Sequence, residues 1–204
     1  MKKIFIYCLL ILIASRVSAQ APKVVADCTV SFDVTIARAD GSNEKATKTL
    51  YVKGGETRSD LVTPTFVQTT FYDSKKETAV ILRELGGNKY MSKLNAEQWK
   101  EQNKKYEGME VTLLAETKTI LGYECKKAQV KLKDGNILNM FYATAIIPSV
   151  SENSYQFKGI PGFVLEYEAQ TDKGSKIKFT ASVINLSPVP VSKFEIPQTG
   201  YRML

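Results

Sequence analysis

The sequence predicts a mainly β protein built on a long antiparallel sheet, with one short helix packed against it. Three observations support this prediction. Apolar and polar residues alternate along most of the chain, glycine-containing turns separate the alternating runs, and one stretch free of glycine and proline interrupts them. A period of two residues is typical of half-buried strands. The sequence contains neither βαβ alternation nor an internal repeat, so the strands are expected to be antiparallel.

The clearest strand is the segment 28–37. Cys28, Val30 and Phe32 begin an apolar face that two further residues continue, and polar residues occupy the other face. Further strands are predicted at about 47–53, 58–63, 65–72, 78–85, 111–117, 123–132, 137–146, 163–170 and 176–186. About ten strands in one antiparallel arrangement must curl into a curved sheet or split into two layers.

A predicted hairpin fixes the register of the last two long strands. A three-residue loop at 172–174 ends in glycine, which suits the left-handed position of such a turn. This loop places Tyr167 opposite Phe179 and Glu168 opposite Lys178. The aromatic side chains then share one face and the opposite charges share the other, which is a self-consistent pairing.

The interrupting stretch predicts a helix that starts after Asn95 and extends to about residue 106. Asn95 suits the N-cap position, and Gln98 three residues later completes a capping box. Trp99, the only tryptophan of the chain, shares one face with Ala96, Asn103 and Tyr106. Short helices gain most of their stability from packing, so we interpret Trp99 as a docking anchor rather than a ligand-stacking ring.

The first nineteen residues have the three parts of a secretory signal peptide. Lys2 and Lys3 form a positive start, residues 4–14 form an apolar run, and small residues at 17–19 precede the predicted new N-terminus. The apolar run is too short to cross a bilayer as a helix. We therefore expect a cleaved signal peptide at 1–19 and a periplasmic or secreted mature protein.

The segment 20–204 is expected to form a single β-rich domain, long enough to bury roughly 70% of its unfolded surface. Removal of the signal peptide lowers the formal net charge from +7 to +4, because it contains three basic residues and no acidic one. This mild charge and the lack of a nucleic-acid-binding module argue against a nucleic-acid partner. We expect a monomer without a transmembrane segment.

Two cysteines, Cys28 and Cys125, remain after the signal peptide is removed. An oxidising compartment favours a disulfide between them. A bridge over this separation of 97 residues would contribute roughly 4–5 kcal/mol in the chain-entropy model. The alternative is a pair of buried free thiols, and the sequence leaves both alternatives open because it does not fix the distance between the two Cα atoms.

The composition argues against an enzyme. The chain has no histidine, which removes the commonest general base and the Ser-His-Asp and Cys-His arrangements. Glu166 and Glu168 share a strand face and could act as paired carboxylates, but Lys176 and Lys178 lie on the matching face of the next strand. Charge pairing is the simpler interpretation. We expect no catalytic residues, no metal site and no cofactor.

Two motifs resemble a known family. The stretch "ETKTILGYECKKA" at 116–128 is followed by "FKGIPGFVLEYEA" at 157–169. In this order and spacing they resemble the GLPGLI family of exported bacterial proteins, whose name describes the second motif. The ending "VSKFEIPQTGYRML" resembles the tail of a related group that is compared with the outer-membrane lipoprotein-sorting carriers. The resemblance covers roughly 111–204.

The resemblance implies a half-open antiparallel barrel around a helix, and the family has no established molecular role. Within the two motifs it identifies five structural residues. These are Gly122, Tyr123, Cys125, Gly159 and Gly162.

A half-open barrel also explains why the second motif combines turn residues with apolar ones. A turn at the rim of a concave apolar face can be apolar if it folds over that face. Gly159 and Gly162 would permit unusual backbone conformations, Pro161 would stiffen the turn, and Ile160 would point inward. The alternative is a buried turn that fills the core. The candidate ligand-binding residues are Phe157, Ile160, Pro161, Phe163 and Tyr167.

Two functions are compatible with these patterns. The first is an exported, non-enzymatic protein that binds or carries an apolar ligand, such as a lipid or an acyl chain, in the concave sheet. The second is an envelope interaction or assembly protein that binds a protein partner through its sheet edge or rim. We take the first as the main prediction and the second as its alternative, although the sequence discriminates poorly between them.

Overall fold

The computed structural model describes residues 21–38, 41–170 and 176–204. The predicted signal peptide at 1–19 and the predicted loop at 172–174 lie outside the described residues. The strands are β1 (Lys23–Val25), β2 (Asp27–Ala37), β3 (Asn43–Lys53), β4 (Glu56–Val62), β5 (Phe66–Asp73), β6 (Thr78–Leu85), β7 (Asn88–Leu94), β8 (Glu110–Ile120), β9 (Tyr123–Lys131), β10 (Ile137–Ala143), β11 (Ile146–Pro148), β12 (Phe163–Gln170), β13 (Lys176–Asn185) and β14 (Arg202–Met203). The helix α1 (Ala96–Gln102) and 3-10 turns at Lys104–Tyr106 and Val191–Phe194 complete the elements.

Among the described residues, twelve strands form one sheet in the order β14-β7-β6-β5-β4-β3-β2-β13-β12-β10-β9-β8. Neighbouring strands are antiparallel except β14, which runs parallel to β7. The two end strands do not pair with each other, so the sheet is curved but is not closed into a barrel. Helix α1 packs against β6 and β7. The predicted fold class is thereby confirmed.

The core begins where β2 and β3 pair. Cys28, Val30 and Phe32 of β2 are at most 2% exposed, as their alternation predicted. In the antiparallel register Val30 lies opposite Leu50, and Phe32 lies opposite Lys48. The inner face of β3 therefore carries a lysine in a row of apolar residues.

Helix α1 begins as its sequence predicted. The Asn95 side chain accepts a hydrogen bond from the Gln98 backbone N–H, and the Gln98 side chain accepts one from the Asn95 N–H, which completes the capping box. Trp99 is 5% exposed and packs against the Tyr72 ring at 5.6 Å. Its role as an anchor is confirmed. The α-helix is shorter than predicted, because Lys104–Tyr106 continues as a 3-10 turn.

Four strands were not predicted from the sequence. Strand β7 follows a two-glycine turn after β6, and its weak alternation leaves only Met91 fully buried. Strands β1, β11 and β14 have only two or three residues each. β1 pairs in parallel with β11 in a separate two-stranded sheet. Such short pairs depend on contacts between distant segments, which local periodicity does not reveal.

The predicted register of β12 and β13 is confirmed. Tyr167 lies opposite Phe179, and Glu168 lies opposite Lys178. The rings of Tyr167 and Phe179 stack with centroids 4.4 Å apart. This pairing brings two aromatic side chains beside the inner face of β2, next to which β13 lies.

Both cysteines are buried free thiols in the structure, which is the second of the two arrangements that the sequence left open. No disulfide joins them: β13, β12 and β10 separate β2, which carries Cys28, from β9, which carries Cys125. Burial raises the pKa of Cys28 to about 12 and that of Cys125 to about 11. Both thiols are therefore protonated at neutral pH and are weak nucleophiles.

The segment between β11 and β12, residues 149–162, is called the rim segment below. Gly159 has a left-handed backbone with φ of 80°, as its position in the turn suggested. Gly162 does not, so the expectation of an unusual conformation there is wrong. Gly162 is needed for space instead, because a Cβ atom would overlap the carbonyl oxygen of Ala143 and lie 2.7 Å from the Tyr142 ring.

We expect the substitution Gly162→Ala to lower the free energy of unfolding by about 1–3 kcal/mol, because the added methyl group overlaps the backbone of β10. Urea denaturation measures this loss. Gly55→Ala is the matched control, since Gly55 is also outside the left-handed region and its Cβ would closely meet only the Ser74 hydroxyl at 3.2 Å, a contact that a shift of a few tenths of an ångström relieves. Equal losses in both variants would contradict the steric explanation.

Candidate functional site

The rim segment closes an apolar cavity of about 180 Å³ against the inner face of the sheet. Strands β2 and β3 supply its floor, and β11, the rim segment and the start of β12 supply its walls. Its principal apolar lining residues are Phe32, Leu50, Val150, Phe157, Ile160 and Phe163. Three of the five predicted ligand-binding residues, Phe157, Ile160 and Phe163, are thus brought together.

The other predicted residues lie elsewhere. Pro161 is exposed and does not line the cavity. The ring of Tyr167 contacts that of Phe157 edge to face, with the ring centroids 5.1 Å apart. Tyr167 does not line the apolar cavity but lines a second cavity, described below. Gly122 has a positive φ of 82° in the two-residue turn between β8 and β9.

The remaining motif residues lie on β9 or in the rim segment, outside the lining of the apolar cavity. Tyr123 is half-buried and Cys125 is fully buried, both on β9. Gly159 is exposed in the rim segment, and no residue of the first motif lines the apolar cavity. The first motif therefore builds the β8–β9 hairpin rather than the cavity.

The side chain of Lys48 is buried at the centre of the concave face. Its ammonium nitrogen lies 5.5 Å from the ring centroid of Phe32 and 5.2 Å from those of Tyr167 and Phe179. The rings come from β2, β12 and β13, so four adjacent strands contribute to this cluster. A cation held over aromatic faces is attracted by the ring quadrupoles, and more strongly when water is excluded.

The charge of Lys48 is balanced by Glu152 from the rim segment, at 2.5 Å. Lys48 also donates a hydrogen bond to the Tyr167 hydroxyl at 2.6 Å, and that hydroxyl donates to Glu152 at 3.2 Å. Burial, followed by the charge of Glu152, raises the pKa of Tyr167 well above its ordinary value. The hydroxyl thus stays protonated and serves as a donor. We call Lys48, Glu152, Tyr167 and the rings of Phe32 and Phe179 the lysine cluster.

Sequence reasoning missed the lysine cluster, although a signal was present. Ala46, Leu50 and Val52 alternate in phase along β3, and Lys48 occupies an inward position of that series. The predicted strand 47–53 contained Lys48, Leu50 and Val52 but not Ala46, so Lys48 was placed near the end of the strand and not between two apolar inward positions. A charged residue in the apolar phase of a strand indicates a buried, paired charge.

A second cavity, of about 270 Å³, lies on the other side of the lysine cluster, between the sheet and α1. Lys48, Glu152 and Tyr167 border it, and Trp99 and Gln156 face it from α1 and from the rim segment. Glu152 lines both cavities. The lysine cluster therefore forms a polar partition between an apolar compartment and a mixed one.

The carboxylates that could have formed a catalytic pair are engaged in other contacts. Glu166 accepts from Lys118 at 2.7 Å and from Lys178 at 3.2 Å. Glu168 accepts from the backbone and side-chain nitrogens of Asn139, both at 2.9 Å. Lys178 thus binds Glu166, which is diagonal to it across the strands, and not Glu168, which is directly opposite. Neither carboxylate lines the two cavities described above.

The described part of the chain shows neither a metal centre nor a membrane-spanning helix. Residues 21–38, 41–170 and 176–204 contain no group of three His, Cys, Asp or Glu side chains arranged to hold a metal ion. No helix in these ranges is long and apolar enough to cross a bilayer.

No protein-family model matches the chain, and no curated protein sequence matches it. The resemblance to the GLPGLI family therefore stays a prediction from its motifs. Several solved structures share the fold. PNGF-II matches with a TM-score of 0.50 and 13% identity over 87% of this chain and 30% of its own, so this chain spans less than a third of PNGF-II.

An uncharacterized conserved protein from Thermus thermophilus matches over most of both chains. Its TM-score is 0.51 at 9% identity, with 86% of this chain and 89% of that chain covered. A LolA superfamily protein from Nitrosomonas europaea has a TM-score of 0.36 at 12% identity, covering 84% of this chain and 91% of its own, which is too distant to carry an argument. The likenesses to PNGF-II and to the Thermus thermophilus protein show a common fold only.

We expect Glu152→Gln to lower the free energy of unfolding by about 3–5 kcal/mol, because it leaves the buried Lys48 ammonium without a counter-charge. The double variant Lys48→Met/Glu152→Leu should recover most of this loss, since it removes both charges. Urea denaturation measures both. Glu101→Gln, in an exposed ion pair with Lys104, should have no measurable effect. A Glu152→Gln variant as stable as that control would show that the pair is not coupled to folding.

We expect Glu166 to contribute to the pH dependence of stability. Burial alone would raise its pKa, but Lys118 and Lys178 outweigh burial, so the folded pKa lies below the ordinary 4.5. Its contribution is therefore complete above about pH 4.5 and is lost as the pH falls through the folded pKa. Unfolding of Glu166→Gln should depend less on pH in that acid range than unfolding of the wild type. The exposed Glu124→Gln serves as control, and an unchanged pH profile for Glu166→Gln would contradict the assignment.

Proposed function

We propose that this chain is an exported, non-enzymatic binding protein that holds an apolar ligand, such as an acyl chain, in the apolar cavity under the rim segment. The observation that supports this proposal is the convergence of Phe157, Ile160 and Phe163 on one cavity with Phe32 and Leu50. These residues come from β2, β3, the rim segment and β12, so the fold assembles an apolar surface from distant parts of the chain.

The size of the cavity limits what it can hold. At about 180 Å³ it is smaller than the roughly 300–1,000 Å³ of pockets that enclose a drug-sized ligand. It accommodates a short apolar segment, whereas a whole lipid would extend beyond it past the rim segment. Pro161 and Gly159 of that segment are exposed to solvent.

We also propose that the protein is exported and that it has no catalytic activity. The signal peptide predicted at 1–19 supports a periplasmic or secreted protein. The engaged carboxylates and the absence of histidine support a binding role rather than a chemical one. Binding of the proposed apolar ligand requires no cofactor.

The second candidate function, binding of a protein partner, is favoured by the end strand β8. Among the described residues this eleven-residue strand pairs only with β9, and its other edge is unpaired. Leu113 on it is 51% exposed. An extended segment of another protein could add a strand there. The register shift between Leu113 and Thr117, however, is the kind of irregularity that protects sheet edges from such pairing.

We expect Ile160→Asp to weaken binding of the fluorescent fatty acid 11-(dansylamino)undecanoic acid at least tenfold, because it places a charge in the apolar lining. The thermal midpoint should stay within a few degrees of wild type, since Ile160 is only partly buried and the charge can reach water. Fluorescence titration and thermal unfolding measure the two effects.

Ile137→Asp is the matched control, because Ile137 is 47% exposed on β10 and does not line the cavity. Collapse of the fold in Ile160→Asp would support the alternative that the rim segment fills the core. Failure of the wild type to bind the probe at micromolar protein would contradict the carrier proposal and favour the protein-binding alternative.

A further inference from the structure

The second cavity contains two buried hydrogen-bond donors that have no partner among the described residues. They are the indole Nε1 of Trp99 and the amide Nε2 of Gln156. The two residues are 5% and 7% exposed, and both line the cavity. Buried polar groups are hydrogen-bonded in the great majority of cases, so two unpaired donors beside one cavity require an explanation.

The structure positions both residues beside the cavity. The indole of Trp99 packs against the Tyr72 ring at 5.6 Å with a 30° angle between planes. The backbone N–H of Gln156 donates to the Asn153 side chain at 3.0 Å, and that side chain donates to Asn103 at the end of α1 at 2.7 Å. Packing therefore holds the Trp99 donor, and the link between the rim segment and α1 holds the backbone that carries the Gln156 side chain.

The charges around the cavity select the kind of ligand. The buried ion pair of Lys48 and Glu152 is already neutral, and both carry hydrogen bonds within the lysine cluster. Lys105, the remaining charged residue of the lining, is exposed and donates to the Gln170 carbonyl at 3.3 Å. Lys105 would attract an anionic ligand, but that ligand would also meet the Glu152 carboxylate, and a cationic ligand would compete with Lys48. An uncharged acceptor is not repelled by any of these charges.

We propose that this cavity is a binding site for an uncharged carbonyl group, of the amide or ester class, which accepts hydrogen bonds from Trp99 Nε1–H and Gln156 Nε2–H. An indole N–H can only donate, and a carbonyl oxygen can only accept, so the two are complementary. The site is separate from the apolar cavity, and its occupancy does not depend on the acyl-chain proposal.

The single tryptophan permits a direct test. In a ¹H–¹⁵N correlation spectrum of the folded chain, the one indole N–H resonance reports on this cavity alone. Titration with N-methylacetamide should shift it downfield saturably, because the indole gains an acceptor. Acetate and methylammonium at equal concentration should produce no saturable shift.

The variant Gln156→Met separates a binding role from a structural one. It should weaken N-methylacetamide binding roughly two- to tenfold, the effect of losing one hydrogen bond. Its thermal midpoint should not fall, because the Nε2 donor that is removed has no hydrogen-bond partner among the described residues. Gln102→Met is the matched control, since Gln102 lines the same cavity but is exposed.

Three results would overturn the proposal. The absence of a saturable indole shift with N-methylacetamide would show that the donors bind water only. Equally tight binding by Gln156→Met would show that Gln156 is not part of the site. A lowered thermal midpoint of Gln156→Met would assign the amide a structural role. None of these results bears on binding of the fatty-acid probe in the other cavity.

Discussion

The buried ion pair of Lys48 and Glu152 is the contact on which the arrangement of the concave face depends. A lysine on β3 and a glutamate in the rim segment meet where only 8% and 10% of their side chains are exposed. Desolvating either charge alone is costly, so each residue fixes the other. The rim segment is thereby held over the sheet, and the apolar cavity exists because it is held there.

Two further contacts act with this pair. Asn153 donates to Asn103 at the end of α1, and the Ser149 hydroxyl donates to the Gly54 carbonyl at the turn between β3 and β4. The rim segment is thus connected to the helix on one side and to the sheet on the other. Glu152 lies between these two contacts in sequence, and the lysine cluster separates the apolar cavity from the mixed one under the segment.

The sequence predicted what depends on local patterns. Alternation identified the long strands, Asn95 and Gln98 identified the start of α1, and the loop at 172–174 identified the register that places Tyr167 beside Phe179. The alternation of β3 marks Lys48 as a buried charge, but it does not identify Glu152 as the partner, because the two residues are 104 positions apart in sequence. Gln156 carries no local signal at all, since its unpaired amide nitrogen is evident only in the folded chain. Gly162 was identified for the wrong reason, since only the structure shows the Ala143 carbonyl against it.

The apolar turn in the second motif follows from the same geometry. A turn normally exposes polar residues because its backbone lies in water. Here the left-handed Gly159 reverses the chain, and Gly162 lets it approach β10 where no side chain would fit. Ile160 is directed between them into the cavity, and Pro161 faces solvent. The turn is apolar on one side because it forms a wall of the cavity. Its apolar residues therefore serve to cover the concave face of the sheet, in addition to connecting β11 to β12.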